Sequence, residues 1–194
     1  MSQHLVSGRS SALARPAVLT VLGIVAGSLL MTIAAKVQVP FYPVPMSMQT
    51  LVAIGLGLAL GPVWGAASVL LYLSQGMIGL PVFAGTPPAI AGPVYMMGPT
   101  GGYLAGFVLA AVVAGTLARM GLARNTFGMV LCALIAAVVI YIPGLAWLGQ
   151  FTGYDAALLH AGLFPFVIGD VVKALIIGLV GARLIALKRG PLQG

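Results

Sequence analysis

The sequence predicts an all-α integral membrane protein, a bundle of six transmembrane helices with both termini in the cytoplasm. Three observations carry that reading. Of 194 residues, 61% are apolar and only 6% are Asp, Glu, Lys or Arg, against about 25% charge in a typical soluble domain. Six apolar segments, most of them near the roughly 20 residues a spanning helix needs and the second of them short, are separated by prolines and glycines. When those segments are threaded through a bilayer, the basic residues fall almost entirely on one side. The length then suits a single membrane domain, 1–194, with a tail over 1–15, helices over about 16–187 and a second tail over 188–194. No room remains for a soluble catalytic domain.

The first span is expected from about Pro16 to Ala35, with proline at its start where a missing N–H costs nothing, and Lys36 closes it. Val37–Gln–Val–Pro–Phe–Tyr–Pro–Val–Pro45 follows, and its three prolines predict a stiff non-helical loop. The second span, about Met46 to Leu60, meets the turn signal Gly61–Pro62. The third runs from about Val63 to Leu80. The stretch Val82 to Pro99 contains Pro87, Pro88, Pro93 and Pro99 and no charge. Such a loop is expected to pack back on the protein as a lid or re-entrant element. The fourth and fifth spans are about Thr100–Ala118 and Phe127–Leu148. After a short polar connection, Gly149–Asp155, the sixth runs from about Leu158 to Leu187, with a possible break near Pro165.

With the N-terminus inside, the cytoplasmic ends carry Arg9, Arg15, Arg119, Arg124, Arg183, Lys188 and Arg189, and the outer side keeps Lys36 and Asp155. That distribution follows the positive-inside rule. The formal charge of +7 does not point to nucleic acid, because a binder of that kind clusters its bases on one face. The single cysteine, Cys132, excludes an intramolecular disulfide and reads as a small packing residue. The apolar stretch after Arg15 is too long for a cleaved signal and lacks a small-residue cleavage site. Glycines and alanines recur every fourth residue, at Gly23/Gly27, Gly57/Gly61/Gly65, Gly98/Gly102/Gly106 and Gly178/Ala182/Ala186. In lipid such stripes let helices approach closely.

Chemistry has few places to live. Of two acidic residues, Asp155 falls in a connection and Asp170 falls within a span, three residues before Lys173. Positions i and i+3 share a helix face, so a carboxylate and an ammonium point together into the bundle. Charges at that depth pair with each other or meet a cavity or ligand. The pair is therefore either a structural pin or a polar-ligand site, with Lys173 available to a carboxylate and Asp170 to N–H donors of a urea or amide. Gln49 and Thr50 add an amide and a hydroxyl at the outer end of the second span, as ligand groups or as helix-end polar groups. His160 is expected to be structural, and no second histidine is spaced for metal. Lys36 is expected to snorkel to the headgroups. Tyr42, Tyr95, Tyr141, Tyr154 and Trp147 are expected mainly as an interface belt, with a few of them available to line an apolar pocket. There is no P-loop ending after Gly98–Pro–Thr–Gly–Gly–Tyr103, no nucleophile elbow and no zinc-protease motif. Neither catalysis nor ATP hydrolysis is expected, and no cofactor is implied.

Four motifs in order then carry a resemblance. They are Pro43–Val–Pro–Met–Ser–Met–Gln–Thr50, Gly79–Leu–Pro–Val–Phe–Ala–Gly85, Gly98–Pro–Thr–Gly–Gly–Tyr–Leu–Ala–Gly–Phe107 and Pro165–Phe–Val–Ile–Gly–Asp–Val–Val–Lys173. With this set the chain resembles the BioY family, the biotin-specific substrate-binding (S) components of energy-coupling factor (ECF) transporters. The resemblance covers nearly the whole chain. It departs after Gly85, where Thr–Pro–Pro–Ala–Ile–Ala–Gly replaces a stretch richer in Gly and Ser in many relatives.

The resemblance implies a six-helix bundle in the bacterial cytoplasmic membrane with a biotin site near the outer face, gated by the loop between the first two helices. It implies that Asp170 and Lys173 make the main polar contacts, and that Phe83, Thr100, Gly101 and Tyr103 contribute to the walls. A transmembrane coupling protein and paired ATPase subunits are the implied partners, and Gly23/Gly27 is the candidate face for docking the former. Two other readings of the same ion pair stay open from the residues alone. One is a secondary transporter that couples ions through Asp170. The other is a membrane enzyme with Lys173 as nucleophile or base.

Overall fold

In a computed structural model, the structure describes residues 7–84 and 92–189, with side chains over 17–84 and 92–183. Its main helices are α1 (Ser7–Lys36), α2 (Gln49–Met77), α3 (Pro93–Met97), α4 (Gly101–Arg119), α5 (Thr126–Thr152), α6 (Ala156–Gly162) and α7 (Phe164–Arg189). Two short strands, β1 (Gln38–Val39) and β2 (Met46–Ser47), lie between α1 and α2. Among the described residues, five helical stretches are long and apolar enough to cross a membrane, one fewer than the sequence predicts.

The difference lies in α2. Gly61 has φ 83 and ψ 175, outside the helical region, and Pro62 follows. If α2 were straight, Gln49 and Tyr72 would stand roughly 35 Å apart at 1.5 Å per residue. Instead the Gln49 amide Nε2 donates to the Tyr72 hydroxyl at 2.7 Å. A Cβ added to Gly65 would come within 2.8 Å of the Gly57 backbone. The element is therefore two helical arms doubled back at Gly61–Pro62. Glycine serves here because its φ is one that other residues reach only at a cost, and proline serves because it opens the second arm where no N–H partner is needed.

Small residues set the spacing of the bundle. Gly57 meets the Ala111 backbone, Gly115 meets Pro62, Gly102 meets Pro143, and Gly106 meets Ile140. These contacts place α4 between the α2 hairpin and α5, in van der Waals reach of both. In lipid this close packing has to supply the cohesion that the hydrophobic effect supplies in water. The first-span stripe is also internal. A Cβ on Gly27 would sit 2.7 Å from the Ser68 hydroxyl and 2.8 Å from Leu56, so the Gly23/Gly27 face packs on α2. It is not an outward docking face. The outward face of α1 instead carries Val18, Leu19, Leu22, Val25, Leu29 and Ile33, all exposed.

Three further differences have local causes. The loop over 37–45 closes as a small antiparallel hairpin, with Gln38 paired to Ser47 and Val39 to Met46, and contains a cis Tyr42–Pro43 bond. The stretch after Val82 includes the helical turn α3, begun by Pro93, where a helix needs no N–H donor. Pro87, Pro88 and the rest of 85–91 lie outside the described residues, as do His4 and the side chains of Arg9, Arg15, Lys188 and Arg189. The last span is divided at Leu163, with φ −126 and ψ −65, two residues before Pro165. The proline thereby sits in the first turn of α7, where its missing donor is harmless.

Candidate functional site

The i, i+3 relation on α7 brings Asp170 and Lys173 together. Lys173 Nζ donates to Asp170 Oδ1 at 3.0 Å, and the two residues are 8% and 6% exposed. From α5, the Tyr141 hydroxyl donates to Asp170 Oδ2. Each carboxylate oxygen has one bond and a spare lone pair, while the ammonium keeps two N–H donors. The ion pair is therefore satisfied as it stands and still able to present both donors and acceptors. A carboxylate or ammonium left alone at this depth would be strongly unfavourable, so the two charges stand or fall together.

These groups line a partly open cavity between α2, α4, α5, α7 and the β1–β2 hairpin, with a volume of about 30 Å3. That is room for about one or two waters. The hairpin forms the roof through Val44, Pro45, Met46 and Ser47. Phe41 rests edge-on against Phe166 at 6.3 Å. Gly169 lets Met46 approach α7, because a Cβ there would lie 2.6 Å from the Met46 sulfur. The roof is thus seated on the turn of α7 that carries Asp170.

Gln49, Thr50, Thr100 and Tyr103, four of the residues singled out in the sequence, line this cavity beside Asp170 and Lys173. Gln49 is 2% exposed. Its amide oxygen accepts from the Ser47 hydroxyl at 3.0 Å while its nitrogen reaches Tyr72. Tyr103 is fixed by a 2.8 Å hydrogen bond from its hydroxyl to the Gly162 carbonyl, with its ring on Gly144.

Phe83 and Gly101 stand elsewhere. Phe83 is buried, stacked on Tyr95 at 4.8 Å and edge-on to Tyr72 at 5.6 Å, and its neighbour Ala84 reaches the cavity instead. Gly101 faces Met96 and Trp147 as a packing glycine. Lys36 does not simply snorkel: its Nζ donates to the Phe83 carbonyl at 2.7 Å and ties the end of α1 to the strap after α2.

Sequence reasoning did not single out Phe107, Ile140, Phe166 and Ser47 as lining residues. Tyr141, expected in the interface belt or on an apolar wall, is half-buried and bonded to Asp170. Its separation from Trp147 by most of two helical turns puts it deeper than a belt residue. Tyr95 is also buried, whereas Tyr42 and Tyr154 are exposed. Among the described residues, no group of three His, Cys, Asp or Glu side chains could hold a metal.

Comparison with known proteins gives this arrangement its relatives. The sequence model of the BioY family matches residues 7–189. The chain belongs to the BioY family. It is 37% identical over 155 residues to a probable biotin transporter BioY of Pyrococcus horikoshii, covering 80% of this chain and 89% of that protein. A biotin transporter BioY of Thermotoga maritima is 33% identical over 156 residues, with the same two coverages of 80% and 89%. The crystal structure of the S-component for biotin from an ECF-type ABC transporter superposes with a TM-score of 0.77 at 26% identity, over 89% of this chain and 93% of that one. The bundle is thus an S-component fold, in a family of multi-pass transport proteins rather than enzymes.

Proposed function

We propose that this chain binds biotin at the outer half of the bundle and serves biotin uptake as the substrate-specific component of an ECF-type transporter. The observation that carries the reading is the Asp170–Lys173 pair, held by Tyr141 on the wall of a cavity roofed by the β1–β2 hairpin. Biotin carries a urea, a carboxylate and an apolar body. A buried donor–acceptor pair among aromatic and aliphatic walls matches that combination. Asp170, Lys173, Gln49, Thr50, Thr100 and Tyr103 are the proposed ligand contacts. Phe83 acts through the strap behind the wall, and Gly101 acts through helix packing. Movement of the hairpin roof makes room for the ligand, since the cavity beneath it measures about 30 Å3.

The chain sits in the bacterial cytoplasmic membrane with six crossings and both termini inside. Support comes from the α2 hairpin, whose two arms count as two crossings, and from the arginines at one end of the bundle. The Arg119 guanidinium lies against the Gly61 turn, on the same side as Arg124 and Arg183. A transmembrane coupling protein and ATPase subunits supply the energy, since this chain has no nucleotide motif. Equilibrium dialysis of the purified protein against labelled biotin tests the proposal. Retention abolished by unlabelled biotin but untouched by thiamine or riboflavin is the expected result; no retention by a folded, monodisperse sample would contradict it.

A further inference from the structure

Besides this cavity, an apolar groove of about 430 Å3 runs between α5 and α7. It opens toward the bilayer between exposed side chains such as Val138, Ile142 and Val171. Cavity and groove share two lining residues, Tyr141 and Asp170. The hydrogen bond between them, from α5 to α7, is the wall that separates the two spaces. Tyr103 backs this wall, its ring edge-on to that of Tyr141 at 6.3 Å, and is itself pinned to Gly162.

We propose that Tyr141 is the partition between the ligand cavity and the bilayer, and the positioning residue for Asp170. Its ring blocks the lateral path and its hydroxyl holds Oδ2, which turns the carboxylate inward toward Lys173. Without that bond Asp170 has a free oxygen beside an apolar groove, and the carboxylate is reachable from the lipid side. The ligand-binding consequence rests on the biotin reading; the partition does not.

The test uses an apolar carbodiimide, dicyclohexylcarbodiimide, which dissolves in membranes and couples to carboxyl groups. The chain has two acidic residues in all, so peptide mass spectrometry reads Asp170 directly, with Asp155 in the polar connection as the internal reference. In wild-type protein in nanodiscs without biotin, Asp170 is expected to label slowly. In Tyr141→Phe the rate at Asp170 is expected to rise severalfold with Asp155 unchanged, and in Tyr141→Ala to rise further. If Tyr141→Ala does not fold, Tyr141→Leu, which also removes the ring, takes its place in the test of the partition, while Tyr141→Phe keeps the ring and reads the hold of the hydroxyl on Asp170. Equal Asp170 labelling in wild type and Tyr141→Ala would overturn the partition, equal labelling in wild type and Tyr141→Phe would overturn the positioning of Asp170, and a rise matched at Asp155, which reports general loosening, would overturn both. Biotin affinity of Tyr141→Phe is expected to fall about tenfold, the scale of a lost hydrogen bond to a charged group. A drop in affinity with labelling unchanged in Tyr141→Phe would leave a ligand contact and remove the positioning role. Labelling needs no ligand, so it reads the partition even if biotin does not bind.

Discussion

At the residue scale, the weight falls on a carboxylate with two partners. Asp170 is within one helical turn of Lys173, and a second helix supplies the tyrosine that completes its coordination. Changing either charged member leaves the other buried without its counter-charge, so the effect reaches both ligand and fold. Asp170→Asn and Lys173→Ala are each expected to weaken biotin binding by about 2 kcal/mol or more, read by calorimetric titration. Each is also expected to lower the thermal midpoint, because breaking a buried pair is more costly than deleting it whole. Affinity unchanged in either variant would take that residue out of the site. Asp170 and Lys173 were legible in the sequence because charge inside an apolar run has few explanations. Tyr141 was not, since an aromatic residue at a helix end and one a turn or two deeper look alike until the helices are packed.

At the scale of elements, glycine placement decides how closely the helices approach. Gly57 faces the Ala111 backbone across the α2–α4 crossing, whereas Gly55, two residues earlier, has nothing within 4 Å of where a Cβ would stand. Gly57→Ala is therefore expected to destabilise by about 1–3 kcal/mol through overpacking, and Gly55→Ala to be near neutral, measured as melting in detergent. Gly27→Leu is expected to disturb the α1–α2 contact and lower stability, with no selective loss of partner assembly. Stability equal to wild type would mean that α1 can shift away from Ser68 at no cost. The spans themselves were legible from apolar length and punctuation. The face each stripe presents was not, because small-residue spacing identifies a close approach without saying to which neighbour. The roof hairpin escaped for a different reason: its two-residue strands pair only once α1 and α2 bring their ends together.

For the whole molecule, the hinge at Gly61–Pro62 settles how one long helical stretch can contribute two arms. If both arms cross, the termini share a side; if the stretch crosses once, they lie on opposite sides. In a Cys132→Ser background, a cysteine at the exposed Tyr154 position is expected to react with an impermeant maleimide in intact cells. One at the exposed Arg124 position is expected to react only after permeabilisation. The same reagent would then report a cysteine placed at either terminus as internal. One terminus labelled from outside would contradict the six-crossing topology. The charge pattern is what proposes this topology from sequence, and Arg119 lies at the end where α2 turns.

A biotin site beneath the β1–β2 hairpin, built on Asp170 and Lys173, is what the proposed function requires. Isothermal titration of the purified, detergent-solubilised protein with biotin, run in parallel on wild type and Lys173→Ala, tests it most directly. One-to-one binding by wild type, lost or sharply weakened in the variant and absent with thiamine and riboflavin, is the predicted result. No heat of binding from folded wild-type protein, or equal affinity in both proteins, would contradict the account and return the ion pair to a structural role.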